Sequence, residues 1–209
     1  MTPEEEFDEM LFYGRTRPAA PTSASVPVPT ALVKKKTTKD TVDPDLRMLE
    51  SRDKAKADIT EIMALHPKLK KAAEKYSIPV EVLAGMASRE SRAGKHLNKE
   101  GYDMEKKAFG LLQVDERYHK RKGKTATDPA HIDQAAEILR DYRNQMDRKH
   151  PEWADEDRWR AAVAAYNMGP GNVKTLKNLD KGTTGNDYSA DVMHRAELYG
   201  AVFEAQEEK

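Results

Sequence analysis

An apolar stretch that carries a single acid constrains the fold of this chain more than any other feature. Residues 82–94 read Val-Leu-Ala-Gly-Met-Ala-Ser-Arg-Glu-Ser-Arg-Ala-Gly. The i, i+3, i+4, i+7 spacing of one helix face is met by Leu83, Met86, Ala87 and Glu90. Because burial disfavours the charged form of a carboxyl group, a Glu on this face is expected to have a raised pKa, as a general acid needs. The alternative, which the pattern alone favours, is a structural Glu90 that is half-exposed or pairs with Arg89 or Arg92.

The composition argues against several classes of protein. The 209 residues could form one domain with a sizeable core and a tail. Lys and Arg together number 36, as do Asp and Glu, so no strong net field points to nucleic acid or a membrane surface. The absence of cysteine excludes a disulfide framework and a cysteine-based zinc site, and it fits a cytosolic or bacteriophage-type protein. No stretch approaches the roughly 18 apolar residues that span a bilayer.

The first residues differ in character from the rest of the chain. They lack a basic segment followed by an apolar run, so no conventional secretory signal is recognised and we expect the protein to be made in the cytoplasm. Residues 3–14 are acidic and then apolar, which suits either a docking peptide for a protein partner or, as the pattern favours, a poorly ordered terminus. A Pro-, Ser- and Ala-rich segment and a lysine run follow, as is typical of linkers. The sequence therefore predicts a flexible tail over 1–43 and a folded domain over 44–209.

Helical spacing of apolar residues recurs along most of the predicted domain. A first long helix is predicted to begin at Pro44, and His66-Pro67 is expected to break it before a short helix that ends near Tyr76. The acid-bearing helix is expected to end at Gly94 in a left-handed cap. Three further helices are predicted around residues 132–146, 159–166 and 188–203.

The region between residues 95 and 131 has a different pattern. Glycines punctuate it, and residues 109–114, Phe-Gly-Leu-Leu-Gln-Val, form the one convincing strand-like run. We expect a small hairpin or irregular sheet here that lines one wall of a cleft. The predicted fold class is therefore α+β, mainly α.

Three acids lie around this insertion: Glu90, Asp103 and Asp115. Cleavage of a glycosidic bond needs one protonated carboxyl group for the leaving oxygen and one ionised carboxylate on the other side. A Glu on an apolar helix face and two Asp residues on polar loops would have pKa values separated in that sense. Spacing alone does not place them across a cleft, and Asp103 in its charge-rich loop also fits a solvated aspartate.

Four ordered blocks resemble the goose-type lysozymes, of the lysozyme and lytic transglycosylase superfamily. They are residues 88–94 (Ser-Arg-Glu-Ser-Arg-Ala-Gly), 109–115 (Phe-Gly-Leu-Leu-Gln-Val-Asp), 164–173 (Ala-Ala-Tyr-Asn-Met-Gly-Pro-Gly-Asn-Val) and 183–189 (Thr-Thr-Gly-Asn-Asp-Tyr-Ser). The resemblance covers roughly residues 46–199. It implies a lysozyme-like domain with a small β region that lines the substrate cleft.

The resemblance also implies roles for particular residues. Glu90 matches the general acid that protonates the oxygen between N-acetylmuramic acid and N-acetylglucosamine in peptidoglycan. Asp103 and Asp115 match the aspartates proposed to position or activate the attacking water. The residues that match cleft positions beside the acid or in contact with the sugars are Gln113, His119, Tyr166, Asn167 and Tyr188.

Taken one at a time, these cleft residues have structural explanations. Tyr166 fits the apolar stripe of its helix, and Asn167 fits a polar residue at a helix end. Gln113 fits a strand residue that faces water, and His119 belongs to a basic loop over 119–124 that is either solvated or attracted to an anionic cell wall. Their joint occurrence is what favours the functional interpretation.

The predicted function is that of a muramidase that hydrolyses the β-1,4 bond with inversion, without a metal or organic cofactor. One alternative is a lytic transglycosylase, which leaves a 1,6-anhydromuramic product, and another is a non-catalytic module that binds the cell wall. The expected partner is the peptidoglycan glycan strand, with no nucleic acid and no stable membrane insertion, and the domain is expected to be monomeric. It would reach the wall by export, lysis or virion delivery.

Overall fold

The computed structural model describes residues 44–103 and 107–208. Within them two short strands, β1 (Ala108–Phe109) and β2 (Val114–Asp115), pair in antiparallel fashion, with Phe109 opposite Val114. The helices of the described residues are α1 (Pro44–Ala57), α2 (Ile59–Tyr76), α3 (Val80–Ser91), α4 (Pro129–Lys149), α5 (Asp155–Met168) and α6 (Tyr188–Glu207). Short 3₁₀ turns lie between α5 and α6. The prediction of a mainly α chain with a small β region is confirmed.

The break between the first two helices is at Asp58, and the predicted break at Pro67 is wrong. Pro67 lies inside α2 on its exposed side, where water can replace the one hydrogen bond that proline removes. Asp58 is fully buried and accepts hydrogen bonds from Ser88 Oγ at 2.8 Å and from the Arg92 guanidinium at 2.8 and 2.9 Å. The helix is interrupted where a buried carboxylate needs these tertiary partners, which the local pattern does not reveal.

Helix α3 lies against α6 at very short range. A Cβ built on Gly85 would lie only 2.5 Å from the carbonyl oxygen of Val192 in α6, so glycine lets the two backbones approach. The end of α3 also differs from the expectation. Arg92, with φ of +53°, is its left-handed cap, whereas Gly94, with φ of +95°, lies two residues further on. The helix is therefore shorter than predicted and ends one residue after Glu90.

The predicted strand over 109–114 is instead the two ends of a hairpin joined by a tight turn. Gly110 in this turn has φ of +80°, and a Cβ there would lie 2.3 Å from Nε2 of His131 in α4. The His131 ring is fully buried and packs edge-on against Phe109. The hairpin is thus seated directly on the first turn of α4.

Two predictions concern residues outside the described part of the chain. They are the tail over 1–43 and the docking segment over 3–14, so the division of the chain at residue 43 stays a prediction. From Met48 onward the described residues belong to one structural unit. None of its described helices combines the length and the apolar character that a membrane span requires.

Candidate active site

Glu90 lies in the last turn of α3, at the end of the predicted apolar stripe. The other three members of the stripe, Leu83, Met86 and Ala87, are fully buried. Glu90 itself is half-buried, and its Oε1 accepts a short hydrogen bond from the Tyr188 hydroxyl. Tyr188 is the first residue of α6 and is only 1% exposed. The close packing of α3 on α6 therefore brings the acid and the phenol together.

The surroundings of Glu90 shift the pKa of its carboxyl group towards neutral pH. Burial raises its pKa from 4.5 to about 7, and the negative charge of Asp103 adds to this rise. The Tyr188 hydrogen bond and the positive charge of Arg89 act in the opposite direction, because both favour the ionised form. A pKa close to neutrality lets Glu90 hold a proton at the pH where the enzyme acts, which is the condition that a general acid needs.

The arginines that flank Glu90 in sequence bind other acids. Arg89 donates to Asp191 at 2.5 Å and to Asp187 at 3.0 Å. Arg92 donates to Asp58, the residue between α1 and α2. The alternative in which Glu90 is held by a salt bridge to Arg89 or Arg92 does not describe this arrangement.

Asp115, in β2, is held in its ionised form. Arg117 donates from Nε to both carboxylate oxygens at 3.0 Å and from a terminal nitrogen to Oδ2 at 2.5 Å. The backbone amide of Arg117 adds a bond of 2.9 Å to Oδ1. These bonds lower the pKa of Asp115 below its usual value of 3.8.

Asp103 is half-buried and acts on Glu90 through space. Its negative charge contributes to the raised pKa of Glu90, so the two carboxyl groups lie within electrostatic range of each other. Asp115 is not among the groups that shift the pKa of Glu90. The two aspartates therefore occupy electrostatically different positions in the site.

A cleft of about 510 Å³ runs beside the hairpin, a volume suited to a small ligand or to part of a polymer. Four predicted substrate-binding residues and one predicted catalytic residue line it: Gln113, His119, Tyr166, Asn167 and Asp115. Glu90 is not part of this lining, but its charge acts on the pKa of Tyr166. Tyr166 therefore lines the cleft and also lies within electrostatic range of Glu90.

A relay of hydrogen bonds fixes the hairpin turn on the cleft wall. The Leu112 amide donates to Nε2 of His131 at 3.2 Å, and the Leu112 carbonyl accepts from the Tyr166 hydroxyl at 2.8 Å. Gln113 has φ of +45° and donates from Nε2 to the Gly110 carbonyl at 2.7 Å. Burial lowers the pKa of His131 to about 4, so its ring stays neutral and able to accept.

Asn167 is bound to the loop that precedes α6. Its Oδ1 accepts from the Thr184 amide at 2.9 Å, and its Nδ2 donates to the Thr184 hydroxyl at 3.2 Å. Asn167 is therefore more than a polar residue at a helix end, because it connects the end of α5 to the loop that leads to Tyr188.

Comparisons with known proteins place the chain in a family. The family model described as lysozyme g matches residues 29–202. Lysozyme g of Casuarius casuarius is 40% identical over 149 residues, covering 71% of this chain and 80% of the relative. Lysozyme g of Gallus gallus is 40% identical over the same length, covering 71% and 70%. Lysozyme g of Cyprinus carpio is 42% identical over 118 residues, covering 56% and 63%.

The chain belongs to the lysozyme g family. It is accordingly a glycoside hydrolase with muramidase activity, and members of this family act on peptidoglycan. The family match begins at residue 29, whereas the resemblance inferred from the four blocks was placed from about residue 46. The resemblance inferred from those blocks is confirmed.

Family membership corrects the expected localisation. We expected a protein made in the cytoplasm, because the first residues lack a recognisable secretory signal. That expectation is wrong, because lysozyme g relatives such as those of Casuarius casuarius, Gallus gallus and Cyprinus carpio are secreted proteins that act outside the cell. The absence of one sequence pattern was not a sufficient basis for it.

Several residues of the candidate site were not predicted from the sequence. Arg117 clamps Asp115, and the cleft is also lined by Tyr118, Ile138 and Tyr142. Ile138 and Tyr142 are four residues apart on α4, and helical spacing of apolar residues does not distinguish a core face from a cleft wall. Within residues 44–103 and 107–208, no group of three or more His, Asp or Glu side chains is placed to hold a metal ion.

Proposed function

We propose that this lysozyme g protein cleaves the β-1,4 bond between N-acetylmuramic acid and N-acetylglucosamine by direct hydrolysis with inversion. Glu90 is the proton donor, and Asp103 and Asp115 act on the attacking water from the other face of the sugar. The observation that carries the proposal is the position of Glu90, half-buried and bonded to the Tyr188 hydroxyl, where burial raises the pKa of its carboxyl group to about 7.

The acid step needs a proton on Glu90 and a means of stabilising the charge left behind. Glu90 donates its proton to the oxygen of the N-acetylglucosamine leaving group as the bond to C1 of the muramic sugar breaks. The Tyr188 hydroxyl and the positive charge of Arg89 both favour the carboxylate that results. The same two groups therefore assist the proton transfer that burial alone would oppose.

The water step needs an ionised carboxylate, and the two aspartates suit different parts of it. We assign the acceptance of the water proton to Asp103, since its charge is felt at Glu90 across the site. Asp115 is engaged by Arg117 and is suited to orient the water. In this scheme water attacks C1, its proton passes to Asp103, and exchange with solvent restores both groups. Inverting enzymes separate their carboxyl groups by roughly 6.5–9.5 Å to leave room for that water.

The cleft beside the hairpin is proposed to hold the glycan strand. Gln113, Asn167 and His119 offer amide and imidazole groups for acetamido and hydroxyl groups, and Tyr166 offers a ring face. The balanced formal charge of the chain gives no reason to invoke nucleic acid as a partner. That the domain acts as a monomer remains part of this proposal.

The decisive variant is Glu90→Gln, which keeps the shape and removes the acid. Loss of a general acid lowers activity by at least about 10²-fold, so clearing of a purified cell-wall suspension should slow by that factor. Glu81→Gln, in the first turn of the same helix, is the matched control and should clear the suspension at the wild-type rate. Equal clearing by wild type and Glu90→Gln would contradict the assignment of Glu90 as the acid, whereas clearing by neither protein would support a non-catalytic, wall-binding role.

The product distinguishes hydrolysis from transglycosylation. Family membership does not favour the transglycosylase or the binding module. Direct hydrolysis adds one water to the muramic end, whereas a transglycosylase leaves an anhydro product that is lighter by one water. Mass spectrometry of the digest reads this difference, and NMR of a fresh digest should show the α anomer that inversion of a β bond produces.

A further inference from the structure

Tyr118 presents an unusually exposed aromatic ring. It is 78% exposed, and in the part of the chain that the structure describes Leu49, at 58%, is the other exposed large hydrophobic side chain. Burial of an aromatic ring ordinarily contributes to stability, so nothing in the packing of the protein requires a tyrosine at this position. Single exposed apolar residues are common on proteins, and the location of this one is what matters.

Tyr118 belongs to the lining of the cleft that the glycan strand is proposed to occupy. Its position relative to the site is fixed through the backbone. The amides of Tyr118 and His119 donate to the Asp115 carbonyl at 3.2 and 3.0 Å, which closes a turn directly after β2. The ring is therefore attached, through one tight turn, to a predicted catalytic carboxylate.

Arg117 further restricts the ring. Its guanidinium lies 5.5 Å from the ring centroid of Tyr118, a cation–π distance. The same guanidinium is bound to both oxygens of Asp115. An exposed side chain that is already held in place loses little conformational entropy when a ligand covers it.

The ligand that suits such a ring is a sugar. One face of a pyranose presents C–H groups, which pack on the flat face of an aromatic ring, and the tyrosines Tyr142 and Tyr166 line the same cleft. Tyr118 contributes to this lining and Glu90 does not. We propose that Tyr118 is a stacking platform for a sugar ring of the glycan strand other than the two joined by the cleaved bond. This inference rests on the proposed function and adds a subsite to it.

The test compares glycan strands of defined length. For long strands, Tyr118→Ala should raise KM by about three- to tenfold, as the loss of one aromatic packing contact implies, with kcat changed by less than about twofold. The increase in KM should shrink as the strand is shortened below the reach of the subsite. Tyr118→Phe, which keeps the ring, should recover most of the lost affinity. Leu49→Ala is the matched control for loss of an exposed apolar side chain and should have the wild-type KM.

Each other outcome would overturn the inference. A wild-type KM for Tyr118→Ala at every length would exclude the platform, and a KM increase that persists on the shortest cleavable strand would place Tyr118 against the reacting sugars. An effect seen only with strands that carry stem peptides would assign the ring to the peptide. The dissociation constant of long strands in the Glu90→Gln background, with and without Tyr118→Ala, measures the subsite without hydrolysis. Failure of the proposed function would show separately, as full activity of Glu90→Gln.

Discussion

At the scale of single residues, the site is defined by opposing influences on one carboxyl group. A shift of the Glu90 pKa from 4.5 to about 7 corresponds to about 3 kcal/mol in favour of the protonated form. Burial supplies most of it, and Asp103 supplies part. Tyr188 and Arg89 limit the shift, so the pKa stays close to neutral pH instead of rising further.

The two aspartates should therefore differ in their effect on the pH profile. Asp103→Asn removes a negative charge that disfavours ionisation of Glu90, so the Glu90 pKa should fall and the alkaline limb of kcat/KM should move to lower pH. Asp115→Asn should leave that limb in place while still lowering kcat. The 13C chemical shift of the Glu90 carboxyl group, followed as a function of pH, measures the same pKa in variants of low activity. Equal displacement of the limb by both substitutions would contradict the assignment.

At the scale of elements, the hairpin depends on its contact with α4. Gly110→Ala would place a methyl group on the His131 ring, which cannot yield easily because it is buried, packed on Phe109 and bonded to Leu112. Gly94→Ala is the matched control, because Gly94 also has positive φ but nothing within 4 Å of a built Cβ. We expect Gly94→Ala to cost about 1 kcal/mol of stability and Gly110→Ala at least about 2 kcal/mol more.

Gly110→Ala should also lower activity, because the same turn carries Gln113 and the Leu112 carbonyl that receives the Tyr166 hydroxyl. Urea unfolding gives the two stabilities, and kcat/KM on cell walls gives the activities. Equal stability losses in the two variants would show that the contact of the hairpin with His131 does not constrain the turn.

The periodicity of apolar residues along the sequence predicted the helices that bury one face in the core. The stripe that ends at Glu90 is the clearest example, and the later helices also follow their apolar spacing. The break at Asp58 and the cap at Arg92 escaped prediction because both depend on groups that meet only in the folded chain. The hairpin was expected, but its strands are only two residues long, since Gly110 and Gln113 adopt turn conformations.

The candidate site was predictable to a similar degree. The resemblance supplied residues that the structure places on the cleft or beside Glu90, although their roles stay predictions. The bonds from Arg117 to Asp115 could not be inferred, because a spacing of two residues does not show that an exposed arginine bends back to bind both carboxylate oxygens.

At the scale of the whole molecule, a network of buried polar side chains connects α3 to α6 and to the residue between α1 and α2. Ser88 Oγ donates to Asp58 and accepts from Arg195, and Arg195 in turn donates to Asp191. All four residues are nearly inaccessible to solvent. Removing one partner of such a network leaves an uncompensated buried charge. Ser88 and Glu90 are two residues apart on α3, so the network and the acid lie on different sides of the helix.

Glu90 and His131, whose pKa values are shifted by burial, give the stability of the molecule opposite dependences on pH. Folded Glu90 keeps a proton between about pH 4.5 and 7 that the unfolded chain has lost, so its contribution is complete at low pH and is lost as pH rises through 7. Folded His131 lacks a proton between about pH 4 and 6.5 that the unfolded chain carries, so its contribution is present above pH 6.5 and is lost as pH falls towards 4. Each amounts to about 3 kcal/mol over its whole range.

Between about pH 5 and 6.5 these two slopes should cancel, so the wild-type free energy of unfolding should change little, apart from a smaller rise from His66, whose pKa burial also lowers. Glu90→Gln removes the contribution of Glu90 to this pH dependence and leaves that of His131. Its free energy of unfolding should therefore rise with pH by up to about 1.4 kcal/mol per unit relative to wild type. Urea unfolding at intervals of half a pH unit measures both curves, with Glu81→Gln as the control expected to follow wild type. If Glu90→Gln ran parallel to wild type across this interval, Glu90 would not be protonated in the folded protein near neutral pH, and its role as the acid would lose its physical basis.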